Sequence, residues 1–268
     1  MNELFSLSGK TAIVTGALGL IGIEHCKALH SAGAQVVVAD LNEERSREFA
    51  ATLGENTLGV GLDVTSKISV INLRNNILEK FHRIDILVNN AAMNDMVENP
   101  LGGEESSKFE DYPLELWRRV MEVNVTGMFL CSQILGAEMA RQGKGSIINI
   151  ASTYGIVAPD QSIYQLPDGT QAFYKSAVYP TSKGAVLSFT RFLATYWGKS
   201  AVRVNSLSPG GVENGQPDYF KDNYARKTPL GRMAGPSDYQ GALVFLASDA
   251  SQYMTGANLV VDGGWTAW

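Results

Sequence analysis

Short apolar runs rich in β-branched residues alternate along the chain with longer stretches of helical period. Lys10–Thr15 (KTAIVT) and Gln35–Asp40 (QVVVAD) read as buried strands, and Thr57–Leu62 as a weaker third. Ile84–Val88, Ser146–Ile150, Val202–Leu207 and Asn258–Val261 complete seven. Helical stretches lie between them at Leu20–Ser31, Ser66–Phe81, Pro113–Arg141, Pro180–Trp197 and Ser237–Ser248. Ser66 is placed to cap the second of these, and Pro236 suits the start of the last. This alternation predicts an α/β fold: one doubly wound domain over residues 1–268, with a seven-stranded parallel sheet flanked by helices. No repeat, low-complexity tract or linker divides it.

Three segments exceed ordinary loop length: 93–112, 158–178 and 209–236. All follow the C-terminal ends of predicted strands, where open α/β sheets bind ligands. They are expected to wall a substrate site.

Composition narrows the class. The 268 residues carry 22 Lys+Arg and 27 Asp+Glu, a net charge of −5, with 45% hydrophobic residues, as in ordinary globular proteins. Mild acidity gives no electrostatic footprint for nucleic acid or an anionic membrane. Cys26 and Cys131 make neither a disulfide framework nor a metal cluster, and they suit a reducing compartment. The opening MNELFSLSGK lacks the basic and apolar regions of a signal peptide. No uninterrupted apolar run is long enough to span a bilayer, so a cytoplasmic protein is expected. His25, His30 and His82 lack metal-ligand spacing, and Met93 and Met96 read as packing. The acidic run Glu104–Asp111 reads as a solvated loop face.

The first strand runs into Thr15-Gly16-Ala17-Leu18-Gly19-Leu20-Ile21-Gly22. Glycines between a strand and a helix let backbone approach a pyrophosphate, and the helix N-terminus favours its negative charge. The second strand ends at Asp40, 18 residues beyond Gly22. A carboxylate there can accept hydrogen bonds from adenosine ribose hydroxyls, and it would repel a 2′-phosphate. Neither Leu41 nor Asn42 adds positive charge, so NAD is favoured over NADP.

Tyr179 and Lys183, four residues apart beside Pro180, share one helical face. A free tyrosine, with a pKa of about 10, is a poor base near neutrality. A nearby ammonium favours the phenolate, and the pair can then exchange a proton with a substrate hydroxyl or carbonyl.

Further motifs follow in order: Asp63-Val64, Asn89-Asn90-Ala91-Ala92, Val123-Asn124-Val125-Thr126-Gly127, Ile148-Asn149-Ile150-Ala151-Ser152 and Tyr179-Pro180-Thr181-Ser182-Lys183. Arg203-Val204-Asn205, Pro209-Gly210, Thr255-Gly256 and Asp262-Gly263-Gly264 close the series. In this order the chain resembles the shorter branch of the short-chain dehydrogenase/reductase family over nearly its whole length. The resemblance implies a Rossmann fold and a catalytic set of Asn124, Ser152, Tyr179 and Lys183. Tyr179 would be the acid/base, Lys183 would bind the nicotinamide ribose and lower the tyrosine's pKa, and Ser152 would bind the reacting oxygen. Asn124 would bend its helix and place a water. Cofactor contacts are expected from Gly16, Leu18, Gly19, Leu20, Ile21 and Gly22 of the turn, from Asp40 and Leu41, and from Tyr179 and Lys183. Asp63 and Val64 would meet the adenine. Asn90, beside Ala91 and Ala92, would meet a cofactor ribose or brace the strands. Pro209, Gly210, Val212 and Asn214 would complete the nicotinamide side. A homotetramer is implied, with a dimer contact between the two longest helices.

Three departures mark this chain. Its turn follows TGxxGxxG, with Leu20 at the usual middle glycine. Asn214 stands in register for the family's carboxamide-binding threonine, and an amide can make a similar bond. The gap from Ser152 to Tyr179 is 27 residues, about twice the family's habit. That insertion carries Tyr164, Asp168, Tyr174 and Lys175 beside the reacting centre.

The expected activity is NAD-dependent interconversion of a secondary alcohol and a ketone. Asn94, Ser152, Tyr164, Lys175 and Tyr179 are the candidate substrate contacts. Polar loop residues (Asn94, Asp95, Gln161, Gln165, Lys175) favour a hydrophilic, hydroxylated small molecule over a steroid or acyl chain. The region Tyr179–Trp268 looks most like members associated with bacterial surface-sugar and flagellin-glycan synthesis, which makes a sugar or sugar phosphate the preferred substrate. Lys175, Arg226, Lys227 and Arg232 are candidate phosphate contacts. A polyol or 3-oxoacyl reductase is an alternative, and so is a non-catalytic NAD-binding regulator. In the tail, Trp265 and Trp268 are expected to bury at a subunit interface.

Overall fold

The strands are β1 (Thr11–Thr15), β2 (Gln35–Asp40), β3 (Thr57–Gly61), β4 (Ile86–Asn89), β5 (Gly145–Ile150), β6 (Val202–Pro209) and β7 (Asn258–Val261) in the computed structural model, which describes residues 3–95 and 107–268. They form one sheet in the order β3-β2-β1-β4-β5-β6-β7, with every neighbouring pair parallel. Successive residues point to opposite faces, and both faces are apolar. Ile13, Val37, Leu87, Ile147 and Val204 face one helical layer, and Val14, Val38, Val88, Ile148 and Leu207 face the other.

The first layer holds α3 (Lys67–Phe81), α4 (Leu114–Gln142) and α5 (Val178–Trp197). The second holds α1 (Leu20–Ser31), α2 (Glu43–Leu53) and α7 (Gln240–Ala247). Ser66 caps α3, its side chain accepting from the Ser69 N–H, as the sequence predicts. α2 is absent from the sequence reading because its composition, EERSREFAATL, is polar on all but a narrow face. Ser46 and Ala50 alone are buried on it, and Asn42 caps its start.

α5 starts at Val178, two residues before the predicted Pro180. A proline in the first turn needs no intrahelical N–H bond, so the helix forms around it. Two π-helical turns interrupt α4, at Glu122–Gly127 and Ser132–Gly136, and Asn124 lies in the first. By length and composition α4 could cross a membrane, but half of its most apolar stretch is buried in this molecule. Cys131, Leu135 and Met139 supply that buried face under the sheet.

A third apolar cluster sits apart from the sheet layers: Ile163, Tyr164, Tyr224, Met233 and Trp265. It joins the 158–178 insertion, α6 (Asp218–Arg226) and the C-terminal tail. α6 corrects the expectation of an irregular 209–236 loop. Its inward face is two aromatics four residues apart, Phe220 and Tyr224, on an otherwise polar helix. Trp265 is also a correction: it is 7% exposed within its own chain, stacked on Tyr224 at 4.3 Å between ring centroids, and needs no partner subunit to bury it. Asp262 aims it inward by accepting from the N–H groups of Gly264 and Thr266 and from the Thr266 hydroxyl. Gly264 must be glycine there, at φ +92°, because a Cβ would lie 2.6 Å from Pro229. Trp268 remains 79% exposed.

Candidate active site

β1 and β4 are neighbours whose helices leave toward opposite faces, and the crevice beyond their C-terminal ends is the natural ligand site of such a sheet. The turn after β1 lies in it. Gly16 adopts φ +60°, and a Cβ there would sit 2.7 Å from the Ala91 Cα. A Cβ on Gly22 would sit 2.4 Å from the Gly16 carbonyl oxygen. Those two glycines let turn, helix and β4 end pack together. Gly19 differs: it begins α1, and a Cβ there would meet nothing nearer than the Gly16 oxygen at 3.3 Å. The first bond of α1 runs from the Ile23 N–H to the Gly19 carbonyl, so the amides of Leu20, Ile21 and Gly22 come before it. An accessible helix N-terminus of this kind accommodates a pyrophosphate.

Asp40 is fixed at the same turn, where its Oδ2 accepts from the Leu18 N–H at 3.0 Å. Leu41 follows, 76% exposed at the crevice edge. Asn90 braces the strands: its Nδ2 donates to the carbonyls of Thr15 (3.0 Å) and Gly16 (2.9 Å). Thr15 Oγ1 accepts from the N–H groups of Asn90 and Ala91. Val64 is buried, so close to α4 that a Cβ on Gly127 would meet it at 2.6 Å. Asp63 accepts from the Thr65 N–H and hydroxyl. Beyond β6, the Gly210 N–H donates to the Val261 carbonyl, and Val212 bridges to Ala234. Asn214 lies on an exposed turn, its N–H donating to Gln216 Oε1. The accessible helix start, the glycine turn and the carboxylate at the β2 end fit a nicotinamide dinucleotide.

Next to this cradle the four predicted catalytic residues come from three elements. Tyr179 and Lys183 lie on the first turns of α5, with Lys183 Nζ 5.7 Å from the Tyr179 ring centroid. The Lys183 ammonium donates to the Ile150 carbonyl at 2.8 Å, and burial pushes its pKa down to about 8. Ser152 follows β5 and caps a short turn, Thr153–Gly155, its Oγ accepting from the Tyr154 N–H. That turn presses on α5: a Cβ on Gly155 would sit 2.7 Å from the Lys183 carbonyl oxygen. Asn124 locks α4 to its neighbours. Its Oδ1 accepts from the Met93 N–H at 2.7 Å, and its Nδ2 donates to the Met93 carbonyl and to Ser182 Oγ. A buried polar ladder holds α5 to the sheet, from Asn89 Nδ2 to Asn149 Oδ1, then from Asn149 Nδ2 to Thr190 Oγ1.

The insertion brings Lys175 to the centre. Its ammonium donates to Asn94 Oδ1 and lies 4.7 Å from the Tyr179 ring centroid. On its other side Lys175 lines a cavity of about 620 Å³ with Ser107, Tyr112, Gln161, Tyr174 and Thr181. Tyr164 is buried, its ring against Phe173 and Phe220 and its hydroxyl 3.1 Å from that of Tyr154. Burial pushes both hydroxyl pKa values up. Lys227 pairs with Asp160, and Arg232 with Asp238, so those two predicted phosphate contacts are committed to carboxylates. Tyr154, Ser182 and Tyr224 also belong to the site's framework, and the sequence alone does not point to them. Tyr154 and Tyr224 had no signal in a single sequence, while Ser182 lay inside the Tyr179-to-Lys183 motif. Met96 lies outside the described residues.

The family model described as enoyl-(acyl carrier protein) reductase matches residues 16–266. A 3-alpha-(or 20-beta)-hydroxysteroid dehydrogenase of Mycobacterium bovis is 35% identical over 97% of this chain and 91% of its own length. A D-threitol dehydrogenase of Mycolicibacterium smegmatis is 36% identical over 98% of this chain and 95% of its own. Among solved structures, a gluconate 5-dehydrogenase of Burkholderia cenocepacia in complex with NADP and tartrate superposes with a TM-score of 0.86 at 30% identity, over 99% of this chain and 98% of that one. The chain belongs to the short-chain dehydrogenase/reductase family, nicotinamide-dinucleotide oxidoreductases acting on CH–OH groups.

Proposed function

We propose that the protein is an NAD-dependent dehydrogenase that interconverts a secondary alcohol and a ketone on a polyhydroxylated substrate, a sugar, sugar acid or polyol. The observation that carries this reading is Tyr179 in the first turn of α5 with the buried Lys183 ammonium beside it. In the oxidative direction the Tyr179 phenolate accepts the proton of the substrate hydroxyl, and in reduction the phenol returns it to the carbonyl oxygen. Lys183 favours the phenolate by its charge. Ser152 donates to the reacting oxygen and holds its polarity. Asn124 keeps α4 and α5 in register through Met93 and Ser182. The nicotinamide, when bound, supplies the hydride chemistry.

Asp40 favours NAD, because its carboxylate at the Leu18 amide would repel a 2′-phosphate. The NADP-bound gluconate relative makes the cofactor comparison a necessary part of the test. Polar groups at the site mouth, Asn94, Gln161 and Lys175, support a hydroxylated substrate over a steroid, although the steroid and threitol relatives are about equally similar. Relatives named for polyol and sugar-acid substrates, among them a galactitol 2-dehydrogenase and a 2-dehydro-3-deoxy-D-gluconate 5-dehydrogenase, support the same reading. The exposed aromatics Phe129, Phe192 and Tyr196 on α4 and α5 support a homotetramer whose dimer contact uses these helices.

Purified protein would be assayed by nicotinamide absorbance with NAD and with NADP. Polyols, sugar acids, sugar phosphates, hydroxysteroids and 3-hydroxyacyl thioesters would form the panel, with Tyr179→Phe as control. NAD-linked turnover of a polyol or sugar derivative, lost in the control, is expected. Turnover confined to steroids or thioesters would overturn the substrate class. NADH binding without turnover across the panel would favour the regulatory reading.

A further inference from the structure

Two ammonium groups lie over the Tyr179 ring, and the family resemblance accounts for one. Lys183 approaches from one turn further along α5, at 5.7 Å from the centroid. Lys175 approaches from the insertion, and at 4.7 Å it is the nearer. Its side chain is buried, so little water stands between its charge and the phenol.

The insertion is built to deliver this residue. Gln161 clasps the Lys175 backbone: its Oε1 accepts from the Lys175 N–H at 2.8 Å and its Nε2 donates to the Lys175 carbonyl at 3.1 Å. Gln171 Nε2 in turn donates to the Gln161 carbonyl at 2.9 Å. On the C-terminal side, Ser176 Oγ donates to the buried Asp95 at 2.9 Å. On the N-terminal side, the Tyr174 N–H donates to Ser107 Oγ at 2.9 Å. Asn94 then takes a hydrogen bond from the ammonium itself. A lysine whose backbone, both neighbours and head group are each held is not a solvated surface lysine.

We propose that Lys175 is a second positioning residue for Tyr179, its ammonium stabilising the phenolate and fixing the ring for proton transfer. This rests on the reading of Tyr179 as acid/base. Other titratable groups beside Tyr179 include Lys183 on its own helix and Tyr154 and Tyr164 on the packed segment that follows β5. Both tyrosines are kept neutral by burial, so they bring no competing negative charge. Lys183, pushed down to about 8 by burial, loses its charge progressively as pH rises toward and past that value. Lys175 sets a second amine beside the same ring, from a different segment of the chain.

The test reads the Tyr179 phenol directly. Protein carrying tyrosine labelled at the Cζ carbon is titrated by NMR, with Tyr179→Phe assigning the resonance. Lys175→Met and Lys175→Gln both remove the charge, so either folded variant suffices, and Lys175→Arg restores it. A neutral residue should raise the Tyr179 midpoint by about one to two pH units, with Arg returning it toward the native value. In turnover of the best alcohol from the panel, the rising limb of kcat against pH should move by the same amount. At a fixed pH on that limb the rate should fall at least about tenfold, while KM changes less. A folded neutral variant whose Tyr179 midpoint stays where it was overturns the proposal. A midpoint that moves in a protein that oxidises no alcohol would leave the electrostatic pairing standing and overturn the dehydrogenase reading instead.

Discussion

The sheet with its two helical layers and the aromatic cap above its C-terminal edge are assembled by different rules. In the sheet, apolar residues follow one another along each strand, and neighbouring strands repeat the pattern. Ile13, Val37, Leu87, Ile147 and Val204 line up across five strands although they are far apart in sequence. In the cap, Ile163, Tyr164, Tyr224, Met233 and Trp265 come from segments with no strand or long amphipathic period. Hydrogen bonds position them: the Asp262 turn, the Tyr224 hydroxyl at the Gly211 amide, and Asn223 Nδ2 on the Ile163 and Gln165 carbonyls. The first region supplies stability that any member of the fold needs. The second shapes the site over Tyr179 and is expected to give specificity.

The comparison breaks most sharply in a pair of truncations. Leu135→Ala empties a fully buried position under the sheet and should cost about 3 kcal/mol, lowering Tm by roughly 6–12 °C. Trp265→Ala removes a larger side chain from the cap, yet it should move the global Tm by less, because the cap can open locally. Its main effect should be a fall of about tenfold in kcat/KM as Tyr224 and the insertion lose their support. Equal loss of Tm in both variants, by calorimetry, would show that cap and sheet unfold as one unit.

Acid separates the regions next. His25 on α1 is fully buried, and neither ring nitrogen has a hydrogen-bond partner. Burial pushes its pKa down from 6.5 to about 4. The unfolded chain therefore binds a proton that the folded chain refuses between those values. Stability is full above about pH 6.5 and falls as pH drops toward about 4, by roughly 3 kcal/mol in all. Thermal melts at neutral and mildly acidic pH should show the loss, and His25→Met should flatten it. An unchanged profile in the variant would place the acid sensitivity elsewhere.

The smallest effect belongs to the cap's ion pair. The Lys227 ammonium bonded to Asp160 pulls that carboxyl down to about 2. Its contribution is present above the ordinary carboxylate value of about 4 and is lost as pH falls toward about 2. Both side chains are well exposed, so solvent screening should keep it below about 1 kcal/mol, and Lys227→Met should barely move Tm. A KM for the panel substrate raised several-fold by that variant would show that the pair orders the insertion.

What could be read in advance follows from the same contrast. All seven strands were readable because a buried parallel strand writes its apolar run locally. Ser66 was readable as a cap because capping needs only its neighbours. The polar α2 and α6 were not: α2 buries only a narrow face, on the adjacent β2 and β3, and the two aromatics of α6 pack on the insertion and tail, which are distant in sequence. The sequence allows Asn90 a ribose contact or a strand-bracing role, and its bracing bonds to the Thr15 and Gly16 carbonyls become visible only in the fold. Trp265 looked like an interface residue because the segments that cover it, α6 and the insertion, lie elsewhere in the chain.

The sequence by itself determined the seven strands and five of the helices in their order along the chain, the glycine turn after β1 and the four-residue step from Tyr179 to Lys183. Each is set by interactions within one turn, one strand or one helix. Tertiary structure decided that Lys175 reaches Tyr179, that His25 is buried without a partner, and that the insertion, α6 and the tail close over one another. Those outcomes depend on which distant segments meet, and the packing of the sheet and its helices brings them together.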